Sequence, residues 1–476
     1  MTKTRPFILR EDQQKLVYQT IEHMNEGGAP CLVSPTGSGK TVMGADIVKY
    51  YRSYGYQVLL AAHRNEIIKQ LAASCRRHCE EPVGFYTASR TTEDRGIMVT
   101  MMPTLAKRPT AIPSFRGRVL LLDEGHHIQA PSYQRIIKEL QPSFFGLLSA
   151  TPITPTGAGL GKFGVTKLIR GPQPKELMDA KALCWYRMVA AEDAVVDTQG
   201  IPKQGGDYKQ SAIEERIVEV QGDFLRDLLH YNPDLHPTIT VTVSIEHAHE
   251  IAREYNSRGV SAEVVIGTTS EAARESAFDR FSAGDLKVIV SVALIDEGLD
   301  LPAATCLQLI RPTQSLRLWK QLVGRVLRTD KNNPDKKAII IVHSDCWEKL
   351  PLPHEPIDWT LEGKVKFRTG HLHVSDNGEI TEKPPAPERV TVARGNKRQL
   401  KELSIHEIYE ERLLKRVRSA NKNLYLVETK GYSPAILWPF ASNPEGLEEG
   451  QCRRVERALG LPWGYCRTQA LVKQGY

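Results

Sequence analysis

The chain has 476 residues, too many for one ordinary domain and enough for two full cores and an appendage. Its 41% hydrophobic and 25% charged residues are those of a globular protein and exclude wholesale disorder or a fibre. A formal net charge of +7 suits a polyanionic partner without requiring one.

No apolar run reaches the roughly eighteen residues of a membrane span. The opening MTKTRPFILREDQQ lacks the apolar core of a secretion signal, so a cytoplasmic location is expected. The 8 cysteines are scattered and none forms a C-x-x-C pair, which argues against a disulfide framework. Cys75, His78 and Cys79 fall close together on one predicted helix. Without a second ligand pair at zinc spacing they read as structural residues.

In chain order, residues 31–34, 58–61, 97–100, 119–122 and 147–149 are short apolar runs separated by helical patterns. Buried strands alternating with helices predict a parallel sheet covered on both faces. The first run leads into SPTGSGKT at 34–41, followed by the helical VMGADIVKYY. This is a phosphate-binding loop in strand-to-helix context, with Ser34 where the general pattern has its first Gly. Pro35, Thr36, Gly37, Ser38 and Gly39 form the loop that turns backbone N–H groups toward phosphate. Lys40 would reach the β- and γ-phosphates of ATP, and the Thr41 hydroxyl would bind Mg²⁺. The fourth run, VLLLDEGH, delivers Asp123 and Glu124 at a strand's C-terminal end, where α/β sheets hold their ligands. Asp123 would hold the metal and Glu124 would activate water; alone, paired acids after a strand are as often a solvated turn.

Residues 157–231 carry Gly- and Pro-bearing turns such as GPQPKEL and GIPKQGGDYKQ and read as excursions and a linker. The strand rhythm restarts at 239–244, 262–267, 287–292 and 306–310, giving a second α/β lobe. The expected division is a first lobe at 1–230, a second at 231–345 and an accessory region at 346–476. In the last, PLPHEP and KPPAPERV break regularity before a basic helical stretch from 397 to 422. Arg412, Arg416 and Arg418 lie there, and Tyr425, Tyr432 and Trp438 follow. Phosphate contacts and base stacking are one reading of this region; a solvated helix with packed aromatics is the other.

The motifs together resemble the superfamily 2 DEAD/DEAH-box helicases, most closely the type III restriction and RadD-like branch. DEGH is similar to the family's DEAH signature, and LREDQ at 9–13 to its adenine-reading element, implying Arg10 and Gln13 at the nucleotide. AHRNE at 62–66 resembles motif Ia, SAT at 149–151 motif III, VTVSIEHA at 241–248 motif IV, and ALIDEGLDLP at 293–302 motif V. QLVGRVLR at 321–328 resembles motif VI. The resemblance implies a fold of two RecA-like lobes and an ATP-dependent motor on duplex or branched DNA. It implies catalytic Gln321 and arginine fingers Arg325 and Arg328, nucleotide contacts at Gly298 and Asp300, and nucleic-acid contacts at Arg64, Thr104, Ser244 and Ser291. An RNA helicase, or a motor subunit serving a separate nuclease, are the alternatives. The zinc module of some RadD-like relatives is not expected, because no cysteine follows Trp359 until Cys452.

Overall fold

The computed structural model describes residues 8–365 except 192, 219, 221, 293–303, 331–332 and 364, with short stretches at 372–374 and 380–382 and residue 457. Gly298, Asp300, the basic stretch at 397–422 and the aromatics after it lie outside the described residues.

Each apolar run becomes a strand buried on both faces, which only a sheet covered on both sides accommodates. The first sheet contains β1 (Pro30–Val33), β2 (Val58–Ala62), β3 (Val83–Tyr86), β4 (Ile97–Met101), β5 (Val119–Asp123), β6 (Phe145–Ser149) and β7 (Lys167–Arg170). Its order is β3-β4-β2-β5-β6-β1-β7, with every pairing parallel. The helices α1 (Glu11–Asn25), α2 (Lys40–Ser53), α3 (Asn65–Cys79), α4 (Met102–Lys107) and α5 (Pro131–Leu140) complete the lobe, and α6 (Pro174–Asp179) follows β7. Cys75 is buried in α3 and Cys79 half-buried at its end.

The second sheet has β8 (Tyr186–Ala190), β11 (Thr238–Val241), β12 (Ala262–Val264), β13 (Val288–Ser291), β14 (Cys306–Leu309) and β15 (Ala338–Val342). The intervening β9 (Lys203–Gln204) and β10 (Asp207–Tyr208) form a separate antiparallel hairpin. The sheet order is β12-β13-β11-β14-β15-β8, again parallel throughout. Its helices are α7 (Gln210–Val218), α8 (Phe224–Tyr231), α9 (Ile245–Ser257), α10 (Glu271–Ala283), α11 (Leu316–Val326) and α12 (Cys346–Lys349).

Two boundaries differ from those expected. The segment read as a linker supplies an edge strand to each sheet: β7 joins the first, and β8, well before residue 230, pairs along β15 in the second. Edge strands bury few side chains and leave a weak pattern; in β7 only Ile169 is buried. The compact unit runs to Pro385. Leu350, Leu352, Ile357 and Trp359, assigned to the accessory region, are buried within it. Among the described residues no helix is long and apolar enough to cross a membrane.

The core of the second lobe is pinned by a buried amide. Gln308 Oε1 accepts hydrogen bonds from Thr240 Oγ1 at 2.9 Å and the Tyr255 hydroxyl at 2.8 Å. Its Nε2 donates to the Phe224 carbonyl at 2.8 Å and approaches His343 Nε2 at 3.1 Å. Gln308→Ala removes one partner from each of these buried groups and opens a cavity. It should destabilise the protein by about 3 kcal/mol, read as a loss in the chemical-denaturation midpoint. A loss below about 0.5 kcal/mol, the range of ordinary surface changes, would show that the network contributes little.

Burial pushes His247 down to about 4 from an ordinary 6.5, and burial also lowers His343. The unfolded chain therefore takes up protons near 6.5 that the folded chain does not bind until about 4. The stability that depends on neutral His247 should be complete above pH 6.5 and fall between 6.5 and 4. His247→Gln should flatten that fall, measured as melting temperature against pH; an unchanged slope would mean that His247 is not held neutral.

Candidate active site

In a sheet with all strands parallel, every C-terminal strand end faces one edge, and loops there converge. The residues of 34–39 leave β1, Asp123 closes β5, and the loop after Ser149 leaves β6, the strand between them. The loop turns through Gly37 (φ 87) and Gly39 (φ 96), left-handed conformations that favour glycine. Gly39 stands at the N-cap of α2 without a capping side chain, so the helix opens on bare N–H groups. Lys40 Nζ donates to the carbonyls of Ser34 and Pro35, both at 3.1 Å. Ser34 Oγ donates to Ser38 Oγ at 2.7 Å, so serine in the first position braces the loop from within.

Gln13 is buried and holds the loop from behind: its Nε2 donates to the Ser38 carbonyl at 2.9 Å, and its Oε1 accepts from the Arg10 amide at 3.0 Å. Arg10 Nη2 reaches the same carbonyl at 3.2 Å. Both residues thus lie against the loop, and Arg10 also lines an open groove with Leu16, Gly171, Pro172 and Leu177.

The second lobe supplies the opposite wall. Nine residues of α11 are buried, among them Gln321 and Arg325, because the helix lies between the lobes. A side chain at Gly324 would meet Thr36 Cβ at 2.5 Å, so only glycine allows α11 this close to the loop. Thr36, Gly37, Gly39, Lys40, Thr41, Asp123, Glu124, Gln321, Arg325 and Arg328 line one cleft of about 320 Å³. Ile67, Gln70 and Thr329 also line it and were not anticipated. Ile67 and Gln70 lie three apart on α3, one face of a helix. Their only signal is that spacing, which any amphipathic helix shows. The Glu66–Arg274 and Lys69–Glu271 ion pairs join α3 to α10 across the lobes.

Charge is concentrated here. Burial lowers the Lys40 pKa, opposed by the carboxylates of Glu124 and Asp123 and reinforced by Arg328 and Arg325. Burial raises Asp123, as does the neighbouring Glu124, while Lys40 counteracts both. Glu124 sits in left-handed backbone (φ 50, ψ 53), uncommon for a residue with a side chain and a feature of constrained sites. Its Oε2 lies 3.4 Å from His126 Nδ1. Glycine-lined amides, an ammonium, a hydroxyl and a carboxylate at strand ends fit a polyphosphate with a divalent cation. Thr41 and Asp123, the residues expected to hold that cation, both line the cleft.

The nucleic-acid positions divide. Arg64 is half-buried at the N-terminus of α3, and Ser244 is half-buried with its hydroxyl capping α9 by accepting the His247 amide at 3.1 Å. Thr104 and Ser291 are buried, 4% and 0% exposed. Thr104 is packed in the short α4, and Ser291 ends β13 inside the sheet. The sequence also missed a stack linking two motifs: the His63 and His127 rings lie 4.2 Å apart at 12°, and His63 Nδ1 is 2.7 Å from the Tyr133 hydroxyl.

Residues 6–154 match the family described as type III restriction enzyme, res subunit, and residues 221–330 match the helicase conserved C-terminal domain. A 51.5 kDa protein of a Lactococcus phage is 29% identical over 331 residues, 68% of this chain and 68% of its own. The Saccharomyces cerevisiae protein IRC3, which carries the name ATP-dependent helicase, is 24% identical over 346 residues, 67% of this chain and 49% of its own. The Sulfurisphaera tokodaii protein named DNA 3'-5' translocase XPB2 is 24% identical over 352 residues, 65% of this chain and 76% of its own. The chain thus spans about half the length of the yeast relative. In fold, it aligns with the ATP-dependent type ISP restriction-modification enzyme LlaBIII bound to DNA at a TM-score of 0.52 and 15% identity, over 72% of this chain and 28% of that one. With both halves of the core matched in order on two parallel-sheet lobes, the chain belongs to the superfamily 2 helicases, in their type III restriction-like group.

Proposed function

We propose that this chain is an ATP-dependent helicase or translocase that acts on duplex or branched DNA in replication, repair or recombination. The observation that carries the reading is the single cleft in which Lys40, Thr41, Asp123 and Glu124 of one lobe face Arg325 and Arg328 of the other. DNA is favoured over RNA by the names of the relatives, which include a DNA translocase.

In this reading the loop amides and Lys40 bind the β- and γ-phosphates, and Thr41 and Asp123 hold Mg²⁺, which neutralises phosphate charge when bound. Glu124 orients the attacking water and takes its proton. Arg325 and Arg328, with Gln321 beside them in the cleft, meet charge that develops on the γ-phosphate as its bond breaks. Arg10 and Gln13, both held against the loop at the Ser38 carbonyl, would read the adenine. Because the arginines arrive from the second lobe, hydrolysis requires closure, and closure alternating with release moves the lobes along a phosphate backbone. Gly298 and Asp300 would complete the nucleotide contacts. Arg64 and Ser244 are the candidates for the backbone contact.

Lys40→Ala should abolish turnover, whereas Glu124→Gln should bind ATP and stall. Arg325→Ala and Arg328→Ala should each lower kcat by about 10²–10³-fold with little change in the ATP Kd, because the arginines act mainly on the transition state. Single-turnover hydrolysis with a separate nucleotide-binding titration checks all four; near-normal kcat in either arginine variant would remove that residue from the site.

ATPase assayed with duplex DNA, forked DNA and RNA tests the substrate. Forked or duplex DNA should stimulate most, and its affinity should fall steeply as salt rises, since phosphate contacts release counterions. Stimulation by RNA alone would overturn the DNA reading, and salt-independent binding would overturn backbone tracking.

A further inference from the structure

After α12 the chain does not leave the second lobe freely. Trp319 Nε1 donates to the Pro351 carbonyl at 2.9 Å, and Lys320 Nζ donates to the carbonyls of Leu352 and Pro353 at 3.3 and 3.1 Å. Both side chains belong to α11, the helix that carries Arg325. Trp319 is fully buried, and burial pushes Lys320 down to about 7 from an ordinary 10.5. A desolvated ammonium is costly unless its donors are met, and here main-chain carbonyls meet them. Glu355, itself buried, accepts from the Leu352 amide at 2.6 Å and fixes the turn.

A few residues later the same segment is bound to the first lobe. The Ile357 amide donates to Gln173 Oε1 at 3.2 Å, Asp358 pairs with Arg170 at 2.7 Å, and the Leu361 carbonyl accepts from the Gly161 amide at 3.0 Å. Gly161 and Gly159 lie in the loop that follows the SAT motif. A Cβ on Gly159 would overlap the Leu361 carbonyl oxygen and the Gly363 amide, so the two backbones touch directly. Between its two ends the segment lays Ile357 and Trp359 over Pro35, Leu183, Val323 and Leu327, around a small apolar cavity of about 50 Å³ shared by both lobes.

We propose that residues 350–363 are an interlobe strap that sets the position of α11, and so of Arg325 and Arg328, against the phosphate-binding loop. Trp319 and Lys320 are the positioning residues at one end, and the Gly159–Gly161 turn is the dock at the other. The strap ties the loop after the SAT motif to the arginine helix through 14 residues of chain, counted from 350 to 363. The proposal rests on the reading of Arg325 and Arg328 as fingers.

Gly159→Ala is the test in the full chain. Gly159 has φ −77 and ψ 161, ordinary backbone for alanine, so the substitution attacks the contact and not the local conformation. It should lower kcat by about tenfold to a hundredfold, the scale of an ångström-sized misplacement of a catalytic group, with the ATP Kd nearly unchanged. In an Arg325→Ala, Arg328→Ala background the same substitution should cost less than about twofold, because residues acting through one group are not additive. Lys320→Met should behave the same way in both backgrounds. Wild-type kcat in Gly159→Ala, or an equal loss with and without the two arginines, overturns the strap. If Arg325→Ala alone leaves kcat intact, the finger reading fails and the strap falls with it, a result distinguishable because it appears before Gly159 is touched. Should Gly159→Ala not fold, Asp358→Arg and the charge-swapped pair Arg170→Asp with Asp358→Arg run the same comparison: loss in the single and recovery in the pair support the strap, and no loss in the single opposes it.

Discussion

The molecule is organised around charge that two lobes bring into one cleft. Lys40 is buried beside Asp123 and Glu124, and two arginines of the other lobe enter the same cleft. Ionised groups removed from water persist only with opposite charge or hydrogen bonds close by. The carboxylates and the Ser34 and Pro35 carbonyls compensate Lys40, but Arg325 and Arg328 bring further positive charge to the loop.

The sheets make the convergence possible. With every strand parallel, the phosphate-binding loop, the Asp123–Glu124 pair and the loop after Ser149 all leave the same edge of the first sheet. Their adjacency follows from the β5-β6-β1 order and needs no further device. Close approach from the other side does need one. A glycine at 324 lets α11 touch Thr36, and any larger residue would hold the helix off the loop.

The lobes are joined by more than a linker. The β9–β10 hairpin is anchored by Asp207, which accepts from Thr313 Oγ1 at 2.8 Å and the Gln314 amide at 2.7 Å, just before α11. At the hairpin's turn, Gly206 packs against the Pro155 carbonyl of the first lobe. The segment 350–363 reaches the same first-lobe loop through Gly159 and Gly161. Two features anchored beside the arginine helix thus meet the loop that follows the SAT motif, a physical route by which cleft closure and that loop can move together.

How much of this could be read in advance depends on where each signal resides. The strands 31–34, 58–61, 97–100 and 119–122 were legible because burial on both faces leaves continuous apolar runs, and the observed strands agree within a residue at each end. SPTGSGKT and DEGH were legible because their chemistry needs particular residues at fixed local spacing. β7 and β8 were not, since an edge strand buries too little to pattern its sequence, and β8 joins a sheet whose other strands come later in the chain. The burial of Thr104 and Ser291 was equally invisible, because a hydroxyl residue looks the same in sequence at a surface and inside a sheet. The sequence by itself determined the fold class, the phosphate-binding loop and the acid pair, all set by contacts among near neighbours. Only the tertiary structure decided which faces of α3 and α11 line the cleft, that His63 stacks on His127, and that residues 350–363 return to the first lobe. Those contacts join segments far apart in the chain, and main-chain carbonyls such as those of Leu352 and Leu361 carry no side-chain signature.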